Sequence, residues 1–352
     1  MVRTKRVAVL GGGTVGGEVV QMLQRRPDVE LGGVLVRDDR RPRPFSAWQD
    51  LVTTDEARVL TGADVVVEVM GGVDRAVDLS LRALASGAVL VSANKAALAE
   101  RWDDFLPYLR HGKVHLEAAV MAGTPVIGPL TNALRGSQPR RLDAVLNGTC
   151  NVILAAMEHA VPYEDALSDA QRAGFAEADP TLDVDGIDAA HKLALLARLV
   201  FDPELAWSDV RERARGIRGL SANRVAEARA QGRRIRLVGS IAPSEGGWQA
   251  RVRPVSLPDG HPLVTEGPVN AMTFVGEPLG SVLVRGPGAG GGATASGVVG
   301  DVLAALEGRP GPRPVAEAAP LAGTHAAASA ADGPDGAPDA ADGSEVFTEV
   351  EV

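Results

Sequence analysis

The sequence feature that most constrains the fold is a glycine-rich turn between two ordered segments near the N-terminus. Residues 6–10 form an apolar run that predicts a buried strand, and residues 18–25 have the periodicity of an amphipathic helix. Between them, Gly11, Gly13 and Gly16 match the pattern G-x-G-x-x-G in the strand–turn–helix context that it requires. These glycines permit a tight turn, a close approach of the backbone to a pyrophosphate, and close packing of helix on strand.

This turn predicts a dinucleotide site. The N-terminus of the following helix offers free N–H groups and the positive end of its dipole to a pyrophosphate. A glycine-rich turn without a ligand is the alternative, and the strand and helix context favours the dinucleotide. The residues that we expect to contact the cofactor here are Gly11, Gly13, Thr14, Val15 and Gly16.

The end of the second predicted strand, residues 30–36, bears on the choice between NAD and NADP. An acidic residue at this position binds the ribose hydroxyls of NAD, whereas an arginine accommodates the phosphate of NADP. Arg37 directly follows the strand, with Arg40 and Arg41 close behind, so the sequence favours NADP. Asp38 keeps NAD open, and a solvated basic turn is the alternative to either site.

Strands and helices alternate through the first third of the chain, which predicts an α/β fold with a doubly wound, Rossmann-type parallel sheet. Ligands of such sheets bind beyond the carboxyl ends of the strands. Ser92 lies at the end of one predicted strand and Lys95 just past it, so we expect both to contact the cofactor, with Lys95 where a nicotinamide and its substrate meet. An exposed lysine at the start of a helix is the alternative. The predicted strands are residues 64–70, 88–92 and 114–117, and the predicted helices are residues 74–86 and 102–110.

An acidic block at residues 174–192 should carry the chemistry on the substrate. Its first half contains turn signals that predict an ordered loop, and a helical pattern begins at residue 187. Asp188 and Lys192 are four residues apart and therefore share a helix face. A solvated loop with a surface ion pair is the alternative. However, this pair lies at the N-terminal end of an apolar helix, where a buried charge must be paired or have a function. The lysine can donate a proton, and the carboxylates can hold a substrate ammonium; they are Glu177, Asp179, Asp183, Asp185 and Asp188.

After residue 130 the pattern changes to helices followed by β-rich segments. A helix is predicted to begin near Asn147, where Thr149 should either cap it or donate to a substrate. Another helix is predicted over residues 163–173. Strand-like runs predict a mixed or antiparallel sheet in a second, α+β domain; they are residues 235–241, 248–254, 271–275 and 281–285. A second glycine-rich turn and a helix over residues 293–306 should return the chain to the cofactor.

These patterns divide the chain into four predicted segments. Residues 1–135 bind the dinucleotide, residues 136–285 bind the substrate and perform catalysis, and residues 286–308 pack back on the first domain. Residues 309–352 are rich in Ala, Pro, Gly and Asp and have almost no large apolar side chain. Because such a segment buries too little surface to offset the entropy of ordering, it is predicted to be a disordered tail.

Charge and composition argue against several classes of protein. The 352 residues carry a formal net charge of −9 with dispersed basic residues, which disfavours a nucleic-acid surface. No apolar run approaches the roughly 18 residues of a membrane span, and the N-terminus does not resemble a signal peptide. The single cysteine, Cys150, cannot form an internal disulfide, which favours a cytoplasmic location. We expect Cys150 to be a small buried residue rather than a nucleophile.

Together these motifs resemble the homoserine dehydrogenase family, NAD(P)-dependent enzymes that interconvert aspartate 4-semialdehyde and homoserine in threonine and methionine biosynthesis. The resemblance covers residues 5 to about 306, and its last motif is the most specific. The motifs are LGGGTVG at residues 10–16, SANK at 92–95, EAAVMAG at 117–123, NGTCN at 147–151 and GFAEADPTLDVDGIDAAHK at 174–192.

The resemblance implies roles for individual residues. It implies that Lys192 is the acid–base lysine, that Lys95 assists near the nicotinamide, and that Glu177 and Asp188 contact the amino-acid substrate. It also implies a homodimer, built on the second domain, and cofactor contacts at Gly174 and Gly288. A monovalent cation, Na⁺ or K⁺, is implied to be held mainly by backbone oxygens; its ligands would be Glu117, Val120, Ala122 and Thr124.

Two features depart from many members of the family. A low-complexity tail stands where they carry a ligand-sensing regulatory domain, and no kinase domain precedes the dinucleotide turn. Two other functions stay open, a non-catalytic dinucleotide-binding regulator and another amino-acid dehydrogenase. The two lysines, Lys95 and Lys192, argue against the first, because a sensor needs no proton donor. The carboxylates argue against the second, because a substrate with an additional carboxylate would require arginines.

Overall fold

Two six-stranded sheets, one parallel and one antiparallel, organise the part of the chain that the structure describes. The structure is a computed structural model, and it describes residues 4–315 and 348–350. The parallel sheet lies in the N-terminal third of the chain and the antiparallel sheet in the remainder. The predicted fold class, a doubly wound α/β sheet with a second α+β unit, is therefore confirmed.

The N-terminal part alternates strands and helices, as predicted, with several short elements that the sequence pattern did not reveal. Its elements are β1 (Lys5–Leu10), α1 (Thr14–Leu23), β2 (Val29–Leu35), α2 (Trp48–Leu51), β3 (Val52–Thr53), α3 (Glu56–Leu60), β4 (Val65–Glu68), α4 (Asp74–Ala85), β5 (Val89–Ser92), α5 (Lys95–Glu100), α6 (Trp102–Arg110), β6 (Val114–His115) and α7 (Ala118–Met121).

The strand order of the parallel sheet is β3-β2-β1-β4-β5-β6, so the order reverses at β1 and β4. Leu10, at the end of β1, pairs with Leu35 of β2 on one side and with Glu68 of β4 on the other. Because all of these strands are parallel, the turns that follow them lie at one edge of the sheet. Ligands of doubly wound sheets bind at such a reversal, which is where the glycine-rich turn lies.

The rest of the chain begins with a π-helical turn at Pro129–Ala133 and then forms the second sheet and its helices. Its elements are β7 (Gln138–Val145), α8 (Gly148–Met157), α9 (Tyr163–Arg172), α10 (Thr181–Val184), α11 (Ile187–Val200), α12 (Trp207–Glu212), α13 (Ala222–Ala230), β8 (Arg233–Ser244), β9 (Gly247–Pro258), β10 (Val269–Glu277), β11 (Gly280–Pro287), α14 (Gly291–Leu306) and β12 (Thr348–Glu349).

The second sheet is antiparallel, with strand order β11-β10-β7-β8-β9-β12. Its central strand β7 was not predicted from the sequence. Arg141 and Asp143 alternate in β7 with the buried Leu142 and Ala144, so its apolar content is too low to mark a strand. The predicted ordered loop in the acidic block also contains the short helix α10.

Helix α11 is buried from Asp188 to Val200, as expected for a helix that is apolar around most of its circumference. Its apolar side chains belong to a hydrophobic cluster that also contains Leu98 and Trp102 from the first part and Leu237 from the second sheet. One core therefore joins the two sheets. The division of the chain at residue 135 stays a prediction.

Helix α14 packs against the parallel sheet. Its buried residues Ala295, Val298 and Val302 share a cluster with Val7 of β1 and Val19 of α1. The chain thus returns from the antiparallel sheet to the first sheet after β11. Among residues 4–315 and 348–350, the helices are all too short or too polar to cross a membrane.

Two parts of the predicted disordered tail, residues 309–352, lie against the folded chain. The N–H of Gly311 donates to the carbonyl oxygen of Gly112 at 2.9 Å. Strand β12 pairs with β9, and Val350 beside it is buried. The prediction of disorder is therefore wrong for these parts. It was based on the composition of the whole tail, which does not reveal a short strand at its end. Residues 316–347 lie outside the described residues.

Candidate active site

Helix α11 presents Asp188 and Lys192 on one face, as their spacing predicts. The Lys192 ammonium donates to Oδ2 of Asp188 and to the carbonyl oxygen of Leu146, each at 2.8 Å. The other oxygen of Asp188, Oδ1, lies 3.0 Å from Nζ of Lys95, the first residue of α5. One buried carboxylate therefore joins two ammonium groups that come from different parts of the chain.

The charges of this cluster stabilise one another. Burial alone would raise the pKa of Asp188, but the ammonium groups of Lys192 and Lys95 hold the pKa of this carboxyl well below its usual range. In return, the charge of Asp188 raises the pKa of Lys95, against the opposing effect of burial. The Lys192 side chain is 9% exposed and that of Lys95 is 40% exposed. Lys192 is thus the more firmly held of the two, and Lys95 is open to solvent.

Asn147 belongs to the same cluster, although sequence reasoning did not select it. Its amide nitrogen donates to Oδ1 of Asp183 at 2.7 Å and to Oδ2 of Asp188 at 2.9 Å. Its oxygen accepts the N–H of Cys150 at 2.8 Å, so Asn147 is the N-cap of α8. The prediction that Thr149 caps this helix is therefore wrong, and its hydroxyl donates instead to the carbonyl oxygen of a neighbouring loop residue, Phe175, at 2.8 Å.

The carboxylates of the acidic block divide into two groups. Asp183 is half-buried; burial and the charge of Asp188 raise the pKa of Asp183, against the hydrogen bond from Asn147. Glu177 is exposed, and its charge contributes to the raised pKa of Lys95, which places it within electrostatic reach of the cluster. Asp185 instead pairs with an exposed arginine outside the cluster, Arg218. Asp183, Glu177 and Asp188 are therefore the acidic groups that a bound ammonium could meet.

The glycine-rich turn has the geometry that a dinucleotide requires. A Cβ on Gly11 would lie 2.7 Å from the carbonyl oxygen of Val69, and one on Gly16 would lie 1.9 Å from that of Gly11. Gly13 faces open space, and within the described residues no side chain caps the N-terminus of α1. The free N–H groups of this helix, at Thr14 and Val15, thus fit a pyrophosphate.

A buried carboxylate, Glu68 at the end of β4, orders the neighbouring turns. Its Oε1 accepts the N–H of Met70 and its Oε2 accepts the hydroxyl of Ser92, each at 2.8 Å. Asn94 donates to the carbonyl oxygen of Gly72 at 2.7 Å and caps the N-terminus of α5. Burial raises the pKa of Glu68. Ser92, predicted as a cofactor contact, is itself buried, and its hydroxyl is directed to Glu68.

The segment after β2 contains an arginine that sequence reasoning missed. Arg43 lies half-buried across the glycine-rich turn, where Nη1 donates to the carbonyl oxygen of Gly12 at 2.8 Å and Nη2 to that of Asp38 at 3.0 Å. Arg37 is exposed, and the Asp38 carboxylate pairs with Arg40 at 3.2 Å. The Asp38 carboxylate is thus engaged by an arginine.

Gly174 and Gly288, the two glycines implied to contact the cofactor, are favoured for different reasons, a backbone conformation and a neighbouring side chain. Gly174 follows α9 with a φ of 78°, a left-handed conformation that favours glycine. A Cβ on Gly288 would lie 2.1 Å from Cγ of Asn270. The amide of Asn270 donates to the carbonyl oxygen of Leu146 at 3.1 Å, the same oxygen that accepts from Lys192. The cofactor contacts of the two glycines stay predictions.

The segment implied to bind a cation offers backbone oxygens rather than carboxylates. The Glu117 carboxylate is engaged, because it accepts backbone N–H groups of residues 126–128 at 2.6–2.8 Å. Ala122 has a φ of 51° and a ψ of −116°, a strained conformation for a residue other than glycine. The Thr124 hydroxyl donates to the carbonyl oxygen of Pro287 at 3.0 Å, which leaves its lone pairs as acceptors. Nowhere in the described residues do three or more His, Cys, Asp or Glu side chains form a metal cluster.

Cys150 is fully buried, as predicted, and its thiol donates to the carbonyl oxygen of Asp183 at 3.3 Å. Burial raises the pKa of this thiol well above its usual value. Because the thiolate is the nucleophilic form, Cys150 is a structural residue of α8 rather than a nucleophile.

Comparison with known proteins connects this geometry to a family. Residues 11–117 match the family described as homoserine dehydrogenase, NAD binding domain, and residues 125–303 match the family described as homoserine dehydrogenase. The chain is 39% identical over 317 residues to the homoserine dehydrogenase of Synechocystis sp.. This alignment covers 85% of this chain and 73% of that protein.

Solved structures show the same similarity. A homoserine dehydrogenase from Thiobacillus denitrificans superposes with a TM-score of 0.80 at 33% identity, covering 86% of this chain and 73% of that one. A hyperthermophilic archaeal homoserine dehydrogenase in complex with NADPH superposes with a TM-score of 0.72 at 27% identity, covering 88% of this chain and 99% of that one. The N-terminal part is therefore an NAD(P)-binding domain.

Proposed function

Because the chain belongs to the homoserine dehydrogenase family, we propose that it reduces L-aspartate 4-semialdehyde to L-homoserine with a nicotinamide cofactor. The observation that carries the proposal is the Asp188 carboxylate between the ammonium groups of Lys192 and Lys95. Family membership favours this function over a non-catalytic regulator or another amino-acid dehydrogenase.

The two lysines manage the charge that develops on the substrate. A nicotinamide held at the glycine-rich turn would supply the hydride for the aldehyde carbon. Lys192 donates a proton to the aldehyde oxygen, and Asp188 and the Leu146 carbonyl orient its ammonium group. Lys95 stabilises the growing negative charge on the same oxygen, since its side chain remains accessible beside Asp188. In the reverse direction, Lys192 in its neutral amine form accepts the proton of the homoserine hydroxyl.

Carboxylates hold the amino group of the substrate. Asp183 and Glu177 lie within electrostatic reach of the two lysines. Unlike Asp188, neither is the carboxylate that the lysines contact directly. An ammonium held there would fix the aldehyde against the nicotinamide, which lowers the entropic part of the barrier. Thr149 lies next to this region, and its hydroxyl contact with Phe175 allows it to accept a hydrogen bond from the substrate.

The preferred cofactor is NADP, with NAD as the alternative. Arg37 is the exposed guanidinium that directly follows β2, and such a group suits a phosphate through paired, charge-assisted hydrogen bonds. The engagement of Asp38 by Arg40 supports this preference, because it weakens the acidic alternative that a ribose would require. Arg43 holds the turn beneath this position through the Gly12 carbonyl oxygen.

A monovalent cation at residues 117–124 is part of the proposal. Carbonyl oxygens of Glu117, Val120 and Ala122 and the Thr124 hydroxyl are hard, oxygen-based ligands of the kind that alkali cations use. The strained backbone conformation of Ala122 supports this cation site. Such conformations cost free energy and are concentrated at functional sites, where the surrounding structure maintains them. The cation would order the chain between β6 and the segment that precedes α14.

A homodimer completes the proposal. Strand β11 is an edge strand of the second sheet with the exposed apolar residues Leu279 and Leu283 at and beside it. Exposed apolar edges favour association with another chain. Sedimentation equilibrium of the purified protein tests this: a species of twice the 36.4 kDa chain mass supports the dimer, and a monomer at micromolar concentration contradicts it.

The test of the function is NADPH consumption with L-aspartate 4-semialdehyde, with homoserine identified as the product. Succinate semialdehyde is the matched control, because it has the same aldehyde and chain length but lacks the amino group. We expect consumption with the first compound, with one homoserine formed per NADPH oxidised, and a kcat/KM at least about 10-fold lower with the second, since losing a hydrogen bond to a charged group costs about 1.5–3 kcal/mol. Equal rates would contradict recognition by carboxylates, and no consumption would contradict the function.

A further inference from the structure

Helices α5 and α11 are joined by polar contacts beyond the one that involves the active site. Nε2 of His191 lies 2.8 Å from Oε1 of Glu100, the last residue of α5. Two turns further along α11, Arg198 donates to the carbonyl oxygen of Ala99 at 2.6 Å. Lys95 begins the same short helix. One end of α5 therefore carries the lysine that meets Asp188, and the other end is attached to α11.

His191 is held rigidly for this contact. Its side chain is 3% exposed, and its ring stacks on Trp207 of α12 with the centroids 4.5 Å apart and the planes 17° apart. The ring donates Nε2–H to the Glu100 carboxylate, because a carboxylate can only accept. Burial lowers the pKa of His191, against the opposing effect of this hydrogen bond. The stacking fixes the direction in which this donor points. Glu100 is 36% exposed, so the ring is the more buried partner of the two.

Lys95 needs such a support. Its long side chain is 40% exposed and has many rotamers, so the distance between its ammonium group and Asp188 depends on where α5 lies relative to α11. A displacement of about 1 Å of a catalytic group can cost a large factor in rate. The side chain of Asn94 caps the N-terminus of α5 by accepting the N–H of Ala97. Because this contact lies within α5, it does not set the distance between α5 and α11.

We infer that His191 is a positioning residue for the reaction, whose hydrogen bond to Glu100 sets the distance of α5 from α11 and so holds Lys95 against Asp188. The inference rests on the proposed function, because its main readout is turnover. His191 does not touch the reacting atoms. It acts through Lys95, which makes the effect of its replacement depend on the presence of that lysine.

A matched pair of full-length variants separates the hydrogen bond from the ring packing. The amide nitrogen of glutamine reaches the position of Nε2, whereas that of asparagine reaches only the position of Nδ1. His191→Gln and His191→Asn both remove the stacking on Trp207, so losses from packing are shared. The two variants are made in the parent and in Lys95→Met, and kcat and KM for aspartate semialdehyde are measured for each. Glu100→Ala and Glu100→Gln repeat the comparison from the other side of the contact.

We expect His191→Asn to lower kcat by about 5- to 30-fold relative to His191→Gln, in the range of coupling between residues in one network, with KM changed less than about threefold. In Lys95→Met the two His191 variants should agree within about twofold. Glu100→Ala should resemble His191→Asn, and Glu100→Gln, which keeps an acceptor, should resemble the parent. Equal kcat values for the two His191 variants in the parent would overturn the inference, as would a difference that persists in Lys95→Met.

A second measurement is independent of turnover. Hydrogen exchange of the α5 amides should be faster in His191→Asn than in His191→Gln, because only the first loses its attachment to Glu100. Equal exchange would contradict the attachment itself. A parent protein without homoserine dehydrogenase activity would instead contradict the proposed function, and the exchange experiment would still decide whether His191 positions α5.

Discussion

Nζ of Lys95 lies 3.0 Å from Oδ1 of Asp188, although the two residues are more than 90 positions apart and lie on different helices, α5 and α11. Lys95 stands at the carboxyl edge of the parallel sheet, where the cofactor is expected, and Asp188 stands on the central helix of the second part. This contact unites the redox half of the proposed site with the substrate half.

Replacing Asp188 by asparagine should leave two ammonium groups without their shared counter-charge. We predict that kcat falls by about 100-fold or more, because the proton donor loses the group that orients it. Asp185→Asn is the matched control, since Asp185 belongs to the same acidic block but pairs with the exposed Arg218. The kcat of Asp185→Asn should stay within a few-fold of that of the parent. Equal losses of kcat in the two variants would contradict a specific role of Asp188.

The pH dependence should report Asp183. Burial raises its pKa, so the ionised form that would hold the substrate ammonium is lost at a higher pH than for an exposed aspartate. As pH falls through this raised pKa, kcat/KM should decrease, while Asp188, with its lowered pKa, stays ionised and contributes no limb. In Asp183→Asn, the maximum kcat/KM should be lower, and the decrease of kcat/KM at acidic pH should disappear. A limb that is unchanged in the variant would assign it to another group.

The sequence predicted the parts of the site whose signal is local. Asp188 and Lys192 share a helix face because they are four residues apart, and the turn containing Gly11 was recognised from its own pattern and flanks. Lys95 was placed by a rule of topology, that strand-end turns of a parallel sheet share one edge. In each case the relevant geometry follows from neighbouring residues or from the fold class.

Residues whose partners are distant in the chain could not be predicted. Asn147 was selected neither as a helix cap nor as a site residue, because its contacts with Asp183 and Asp188 exist only in the folded chain. Glu68 looks like a polar residue within an apolar strand until Ser92 and the turn after β4 are placed around it. Arg43 lies in a segment without periodicity, and its contact with the glycine-rich turn depends on how that segment folds back.

Cofactor choice should respond differently to two arginines. Arg37→Ala should weaken NADPH by about 1.5–3 kcal/mol, the net value of a hydrogen bond to a charged group, and leave NADH nearly unchanged. Arg43→Ala should weaken both cofactors, because Arg43 holds the turn through Gly12 rather than facing a phosphate. Titration of both cofactors against each variant measures this. Equal losses of NADH and NADPH in Arg37→Ala would make Arg37 a structural residue.

The end of the chain should contribute modestly to stability. Val350 is buried beside β9, and Glu349 pairs with Arg251 at 2.7 Å. Removal of residues 348–352 should lower Tm by about 2–6 °C, the effect of losing about 1–2 kcal/mol from one buried side chain and a surface ion pair. An internal deletion of residues 320–340, which contain no large apolar side chain other than Leu321, is the control and should leave Tm unchanged. An unchanged Tm after removal of residues 348–352 would contradict the pairing of β12 with β9.

The most direct test of the account is the effect of Lys192→Ala on turnover and on cofactor binding, measured in the same preparation. Lys192 donates the proton in this account, and it lies on α11, whereas the glycine-rich turn precedes α1. The account predicts that kcat with aspartate semialdehyde falls by about two orders of magnitude or more, while the Kd for NADPH changes less than about twofold. A kcat within a few-fold of the parent would contradict the assignment of Lys192 as the proton donor.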